Sequence, residues 1–130
     1  MKLLLDTCCW LWWLSDIDKL SQKQLEVIAD RQNQLFLSTA SIWEIGIKVN
    51  SKKLTIPQPL GKLIEKQCPV DNIVIFDIKA HHAIKVGELK LHHKDPFDRT
   101  IVPQAICGNL TVLTSDKIFQ RYDVSLVSQE

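Results

Sequence analysis

The sequence predicts an α/β fold: a three-layer α/β/α sandwich around a central, mainly parallel sheet of four to five strands, built as a single domain over residues 1–130. Three observations carry this reading. Short apolar runs alternate with helical patterns from end to end, the order expected of strand, crossover helix and parallel strand. No linker, repeat or low-complexity tract interrupts them. The 130 residues are 45% hydrophobic and 24% charged, an ordinary globular composition at a length that buries a real core.

The elements follow in order. In MKLLLD the run Lys2 to Leu5 reads as a buried strand, and an apolar helix follows around Cys8 to Leu14. Ser21 caps a helix over QKQLEVIADRQ, with Gln24 three residues on completing a capping box. LFLS (35–38) is a second strand. STASIWEIGIKVNSKK carries Ile42, Ile45 and Val49 at helical spacing, and Ser41 with Glu44 fits another capping box. PQPLGKLIEKQC (57–68) is a helix with Pro59 near its start, NIVIFDI a third strand, and KAHHAIKVGELK (79–90) a further helix. In HHKDPFDRTIVPQAICGN, Asp95 is placed as N-cap, Pro96 at the first helical position and Gly108 as the stop. TVLTSD gives a fourth strand ending at Asp116, and VSLV (124–127) a fifth.

Several function classes are disfavoured at once. Sixteen Lys and Arg against 15 Asp and Glu leave a formal charge of +1, so any contact with nucleic acid rests on a local patch and not on a global basic field. Lys2 and the apolar residues after it imitate a secretory signal, but Asp6 splits the run, no small-residue cleavage site follows Trp13, and no stretch reaches the ~18 apolar residues of a membrane span. The expectation is a soluble cytoplasmic chain with no membrane role. Cys8, Cys9, Cys68 and Cys107 lack metal-finger spacing and read as reduced thiols of the core. The pairs His81, His82 and His92, His93 lack the i, i+4 spacing that aims two rings at one ion.

The acids carry the chemistry. Singly, several have structural roles: Asp95 as a cap, Glu44 in a capping box, and Asp98 at the third helical position, where the helix dipole favours it by about 0.3 to 1 kcal/mol. Asp6 and Asp116 instead follow apolar runs, and a charge beside a buried strand is costly unless paired or bound to metal. Ligands of parallel sheets bind beyond the carboxyl ends of the strands. There Asp6 and Asp116 meet Asp98 from a helix start and Glu44 from the first turn of the helix after strand two. Two carboxylates about 4 Å apart repel by about 4 kcal/mol at an effective dielectric of about 20, so four of them call for cations. An all-oxygen set favours Mg²⁺ or Mn²⁺ over zinc and supports phosphoryl transfer.

Taken together, MKLLLDT, SIWEI, HHKDPFDR with QA six residues after its second Asp, and LTSDKIF resemble the PIN-domain ribonucleases, specifically the VapC-like toxins of bacterial toxin–antitoxin modules in an HxDPFDR variant. The resemblance spans nearly the whole chain. It implies a metal-dependent endoribonuclease with Asp6, Glu44, Asp98 and Asp116 as the catalytic and metal-binding acids and Asp95 as an accessory. It further implies a homodimer, a cognate antitoxin that blocks the site, and an RNA substrate that is transfer, ribosomal or messenger RNA. Arg99, a second accessory candidate, and Lys48, Lys117 and Arg121 lie near the acids in sequence, where phosphate contact and solvated surface suit them equally. Pro103 departs from the family pattern and removes an amide donor to the Arg99 carbonyl, which predicts a bend one turn after Asp98. CCW after DT is a second departure, with no chemical consequence expected. Trp10, Trp12, Trp13 and Trp43 are read as core or interface more than as base-stacking platforms. The first helix is apolar around most of its girth, a surplus that a dimer or antitoxin contact would bury.

Three rivals stand beside this reading. A phosphoacceptor receiver domain would use Asp77, but it calls for an acidic pair after the first strand, and Asp6 is followed by Thr7. A PIN fold without catalysis would bind only RNA or protein. A flap-type nuclease would act on structured DNA, although 130 residues leave little room to grip a duplex.

Overall fold

The computed structural model describes residues 1–90 and 95–127. Its five strands form one sheet of order β3-β2-β1-β4-β5, parallel at every pairing. The strands are β1 (Lys2–Leu5), β2 (Gln34–Ser38), β3 (Ile73–Phe76), β4 (Thr111–Leu113) and β5 (Leu126–Val127). The helices are α1 (Thr7–Ser15), α2 (Gln22–Ala29), α3 (Thr39–Asn50), α4 (Leu60–Val70), α5 (Ala80–Glu88) and α6 (Pro96–Gly108). His92, His93 and the leading part of the HxDPFDR variant lie outside the described residues.

The leucine run shows how the layers arise. Successive side chains of a strand point to opposite faces. Leu3 and Leu5 join a core of Trp10, Ile28, Ile45 and Leu63 from α1 to α4, while Leu4 joins a second core with Ile101, Val102 and Ala105 of α6 and Phe119. All three leucines are fully buried. A central parallel strand covered on both faces therefore has no room for polar residues until its end.

Several local expectations are corrected. The helix α2 closes at Ala29 and not at Gln32, because the Asp30 carboxylate accepts the Gln32 amide at 3.0 Å and makes a local turn that competes with the helix. The strand β2 runs straight into α3, so Ser38 caps that helix through the Ala40 amide at 3.0 Å. Ser41 is thus no cap: it lies inside the helix, where its hydroxyl accepts a hydrogen bond from Thr7 at 2.8 Å. Glu44 consequently sits on the second turn of α3. The strand β4 ends at Leu113, where its pairings with β1 and β5 end, so Asp116 lies in the following turn. Asn109, left-handed at φ 53°, closes α6 in place of Gly108. Pro103 is buried inside α6, which continues across it. The apolar surplus of α1 is covered only in part within the chain: Leu11, Trp12, Trp13 and Leu14 are half-buried and pack against the first core. The large exposed aromatic is instead Trp43 of α3, 60% exposed and edge-to-face with Phe97 at 5.1 Å.

Candidate active site

Beyond the carboxyl ends of β1 and β4, the Asp6 amide donates to the Leu113 carbonyl at 2.9 Å and extends their pairing by one residue. The chain then turns into α1 with Asp6 as its N-cap residue, but the side chain makes no capping bond. Oδ2 of Asp6 accepts the Thr114 hydroxyl at 2.9 Å instead. The Thr114 oxygen in turn accepts the Asp116 amide at 3.0 Å. Asp116 accepts the Ile118 amide at 3.0 Å and so starts the 3₁₀ turn Lys117–Arg121. Behind this turn lies Gln24, fully buried, whose amide donates to the Thr114 carbonyl at 3.3 Å and the Ser115 hydroxyl at 3.2 Å. Its oxygen accepts the Ser21 amide at 3.1 Å and completes the capping box of α2.

Two helices bring the remaining acids. Asp95 caps α6, accepting the amides of Phe97 at 2.9 Å and Asp98 at 3.1 Å, which places Asp98 in the first turn. Glu44 is 5% exposed. Its Oε2 accepts the Lys48 ammonium at 2.6 Å, while its Oε1 is buried with no hydrogen-bond partner.

Asp6, Glu44, Asp95, Asp98 and Asp116 line one cleft of about 260 Å³, walled further by Thr7, Cys8, Trp12 and Ser115. Lys48 is the one basic side chain among the described residues that line it. Burial, reinforced by Asp6, Asp95, Glu44 and Asp116, pushes the Asp98 carboxyl up to about 8. Burial likewise lifts Asp6 to about 6, against the lowering effect of the Thr114 hydrogen bond. Cys8 and Cys107, expected in the core, are exposed residues; partial desolvation at the cleft wall and Asp6 push the Cys8 thiol up to about 11, so it stays protonated at neutral pH.

Among the described residues, five carboxylates face a single lysine in this cleft. The donors are all carboxylate oxygens, the set that suits a hard divalent cation such as Mg²⁺ or Mn²⁺. The orphaned Glu44 oxygen is an acceptor awaiting a partner. As the side chains stand, no three acidic, imidazole or thiol groups among the described residues converge tightly enough to hold an ion. Capture of an ion here would need side-chain rotation within the cleft; the donor chemistry fits one.

Other sequence candidates lie apart from the cleft. The Arg99 guanidinium donates to the Val86 carbonyl of α5 at 3.3 Å, and its buried Nε has no partner. Lys117 and Arg121 are exposed on the 3₁₀ turn. Asp77 is exposed past the edge strand β3, two strands from β1, and does not line the cleft. His82 accepts the Lys79 amide at 2.9 Å and lies tilted against the His81 ring, centroids 4.2 Å apart. Sequence reasoning missed Thr114 and Gln24. A threonine two residues before an acid at a strand end was a readable signal for the first; nothing local marked the second.

A parallel sandwich with an acid cleft at its strand ends defines an acid-cluster α/β fold, and comparison with known proteins makes the class specific. The PIN domain family model matches residues 3–125, so the chain belongs to the PIN domain family. Among curated proteins no sequence matches it significantly. A chain of VapBC2 from Rickettsia felis, solved bound to a DNA fragment from their promoter, aligns over 100% of both chains with a TM-score of 0.74 and 20% identity. DNA-bound VapBC from Salmonella typhimurium gives a TM-score of 0.69 and 17% identity over 100% of this chain and 99% of that one. FitAcB from Neisseria gonorrhoeae gives 0.64 and 18% over 95% of each. At these identities the likeness is one of fold. Membership of the PIN family displaces the receiver alternative. No helix among the described residues is long and apolar enough to cross a membrane.

Proposed function

We propose that the protein is a divalent-cation-dependent endoribonuclease, the cytoplasmic toxin of a toxin–antitoxin pair. The observation that carries this reading is the convergence of five carboxylates on one cleft, with a buried Glu44 oxygen left without a partner. Asp6, Asp98 and Asp116 would hold Mg²⁺ or Mn²⁺, with Glu44 as a further ligand or as the acceptor that positions water. A cation bound there supplies positive charge for a phosphodiester oxygen and makes a water more acidic. The chain's own part is positional. Thr114 sets Asp6 against Asp116, and the α6 cap sets Asp98. The raised Asp98 carboxyl means that the cluster keeps a proton near neutral pH until a cation displaces it.

The substrate and partner assignments rest on family and fold. The resemblance to VapC-like toxins supports RNA as substrate and a homodimer as the working form. The VapBC and FitAcB relatives support a cognate antitoxin that covers the cleft. The exposed Trp43 and Ile47 on α3 are an apolar face available for such contacts.

The test is cleavage of total cellular RNA by purified protein with Mg²⁺ or Mn²⁺, with EDTA, and with Asp6→Asn beside the wild type. Discrete fragments that need the cation and vanish in Asp6→Asn are the expected result. Equal inertness of both proteins with every cation and RNA would leave a PIN fold that only binds.

A further inference from the structure

Four basic residues neighbour the acids in sequence, and the structure separates them. Arg99 is turned into the α5–α6 contact, and Lys117 and Arg121 sit on the exposed turn beyond Asp116. Lys48 alone of the four lines the acid cleft. It lies one turn after Glu44 on α3, so both side chains share a helix face. Its ammonium reaches Glu44 Oε2 at 2.6 Å, yet its side chain is 44% exposed against 6% for that of Glu44. One end of the pair is fixed in the protein and the other stands at the mouth.

Among the described residues, an anionic backbone entering this cleft meets five carboxylates and a single positively charged side chain. Resting on the nuclease reading, we propose that Lys48 is the phosphate-binding residue of the cleft: it neutralises Glu44 in the free protein and passes to a non-bridging oxygen of the nucleic-acid phosphate when a cation engages Glu44. Lysine suits this exchange. Its ammonium is a point charge on a flexible four-carbon stem, able to trade one oxygen for another without the fixed fork that a guanidinium requires. The partnerless Glu44 Oε1 supplies the second half of the exchange, an open acceptor on the same carboxylate that lets a cation bind before Lys48 leaves.

The experiment is binding of a short fluorescein-labelled single-stranded RNA, followed by anisotropy in Ca²⁺ across a salt series, for wild type, Lys48→Met and Lys48→Arg. Lys48→Met is expected to bind roughly 10-fold more weakly at low salt, with the log–log salt slope shallower by about 0.7, the value for one phosphate contact to a single strand. Lys48→Arg keeps the salt slope, because the charge is retained, but recovers only part of the affinity, because its fork does not trade one oxygen for another. In cleavage assays with Mg²⁺ the Met variant raises KM with little change in kcat. Mg²⁺ binding without RNA, measured by calorimetry, is no weaker than in wild type, because a competing cation has been removed. Lys48→Met strands the buried Glu44 charge and can unfold the chain; Glu44→Gln/Lys48→Met compared with Glu44→Gln asks the same question without that charge. A Met variant with wild-type slope and affinity overturns the phosphate role and leaves Lys48 as an ion-pair partner only. Wild-type protein that binds no RNA at any salt overturns the nuclease reading and this inference together.

Discussion

Thr114 gives its hydroxyl proton to Asp6 Oδ2 at 2.9 Å and takes the Asp116 amide on the same oxygen at 3.0 Å. One buried side chain, 1% exposed, thus sets the spacing of two cleft acids. Thr114→Val keeps the shape and deletes both bonds. Groups that orient metal ligands typically cost 10–100-fold in affinity or activity when removed. Cation affinity and RNA cleavage are expected to fall by about that range in Thr114→Val and to stay near wild type in Thr114→Ser. Calorimetric Mg²⁺ titration beside the cleavage assay checks this, with circular dichroism to show the variants folded. Wild-type cation binding by the valine variant would sink the bridging role.

Stability in EDTA should fall as pH rises. Asp6 and Asp98 have folded-state carboxyls lifted to about 6 and about 8 from an ordinary value of 3.8. Between roughly pH 4 and 8 the folded state therefore holds more protons than the unfolded chain, and unfolding becomes easier as pH climbs through that window. Partial solvent screening of Asp98 limits the total to the order of a few kcal/mol. Asp98→Asn removes one buried charge, so it is expected to raise the melting temperature at pH 8 by several degrees, with no gain near pH 4. A variant that melts below wild type at pH 8 in EDTA would show that the Asp98 charge is already compensated in the protein.

Gln24 ties the first helical hairpin to the turn that carries Asp116. It is fully buried and uses its amide on Thr114 and Ser115 and its oxygen on Ser21. Gln24→Leu leaves buried polar groups unsatisfied, at about 1–3 kcal/mol in stability. Chemical denaturation is expected to show that loss with an unchanged m-value. A neutral outcome would mean that water or a neighbour replaces the amide.

Much of this arrangement was legible in the sequence because it follows from strong local chemistry. The Leu3 to Leu5 run, cut short by Asp6, reads as a strand buried on both faces, and the Asp95–Pro96 pair has the chemistry of a helix start. What escaped was set by distant partners. Ser41 and Glu44 have the spacing of a capping box, but β2 enters α3 without a loop, so Ser38 takes the cap and Ser41 turns to Thr7. The end of β4 depends on where β1 and β5 stop pairing, which no local propensity encodes. Gln24 looked like a capping-box residue and nothing more; its second role faces residues 90 positions away.

A divalent cation should stabilise the fold in a manner that depends on pH and on one carboxylate. A ligand that binds only the folded state at 100 times its Kd adds about 2.7 kcal/mol. At pH 8, saturating Mg²⁺ or Mn²⁺ is expected to raise the melting temperature of wild type by several degrees, since Asp6 is then ionised and Asp98 about half ionised, and their repulsion is relieved. At pH 5 protons occupy Asp6 and Asp98, whose carboxyls titrate at about 6 and about 8, and the cation must displace them, so the rise should shrink to a small fraction. Asp98→Asn should lose most of the rise at pH 8, although it starts from a higher melting temperature in EDTA. Differential scanning calorimetry of the two proteins, with and without cation at both pH values, separates these terms. An equal rise in wild type and Asp98→Asn would place the cation outside the cleft and remove Asp98 from its ligands.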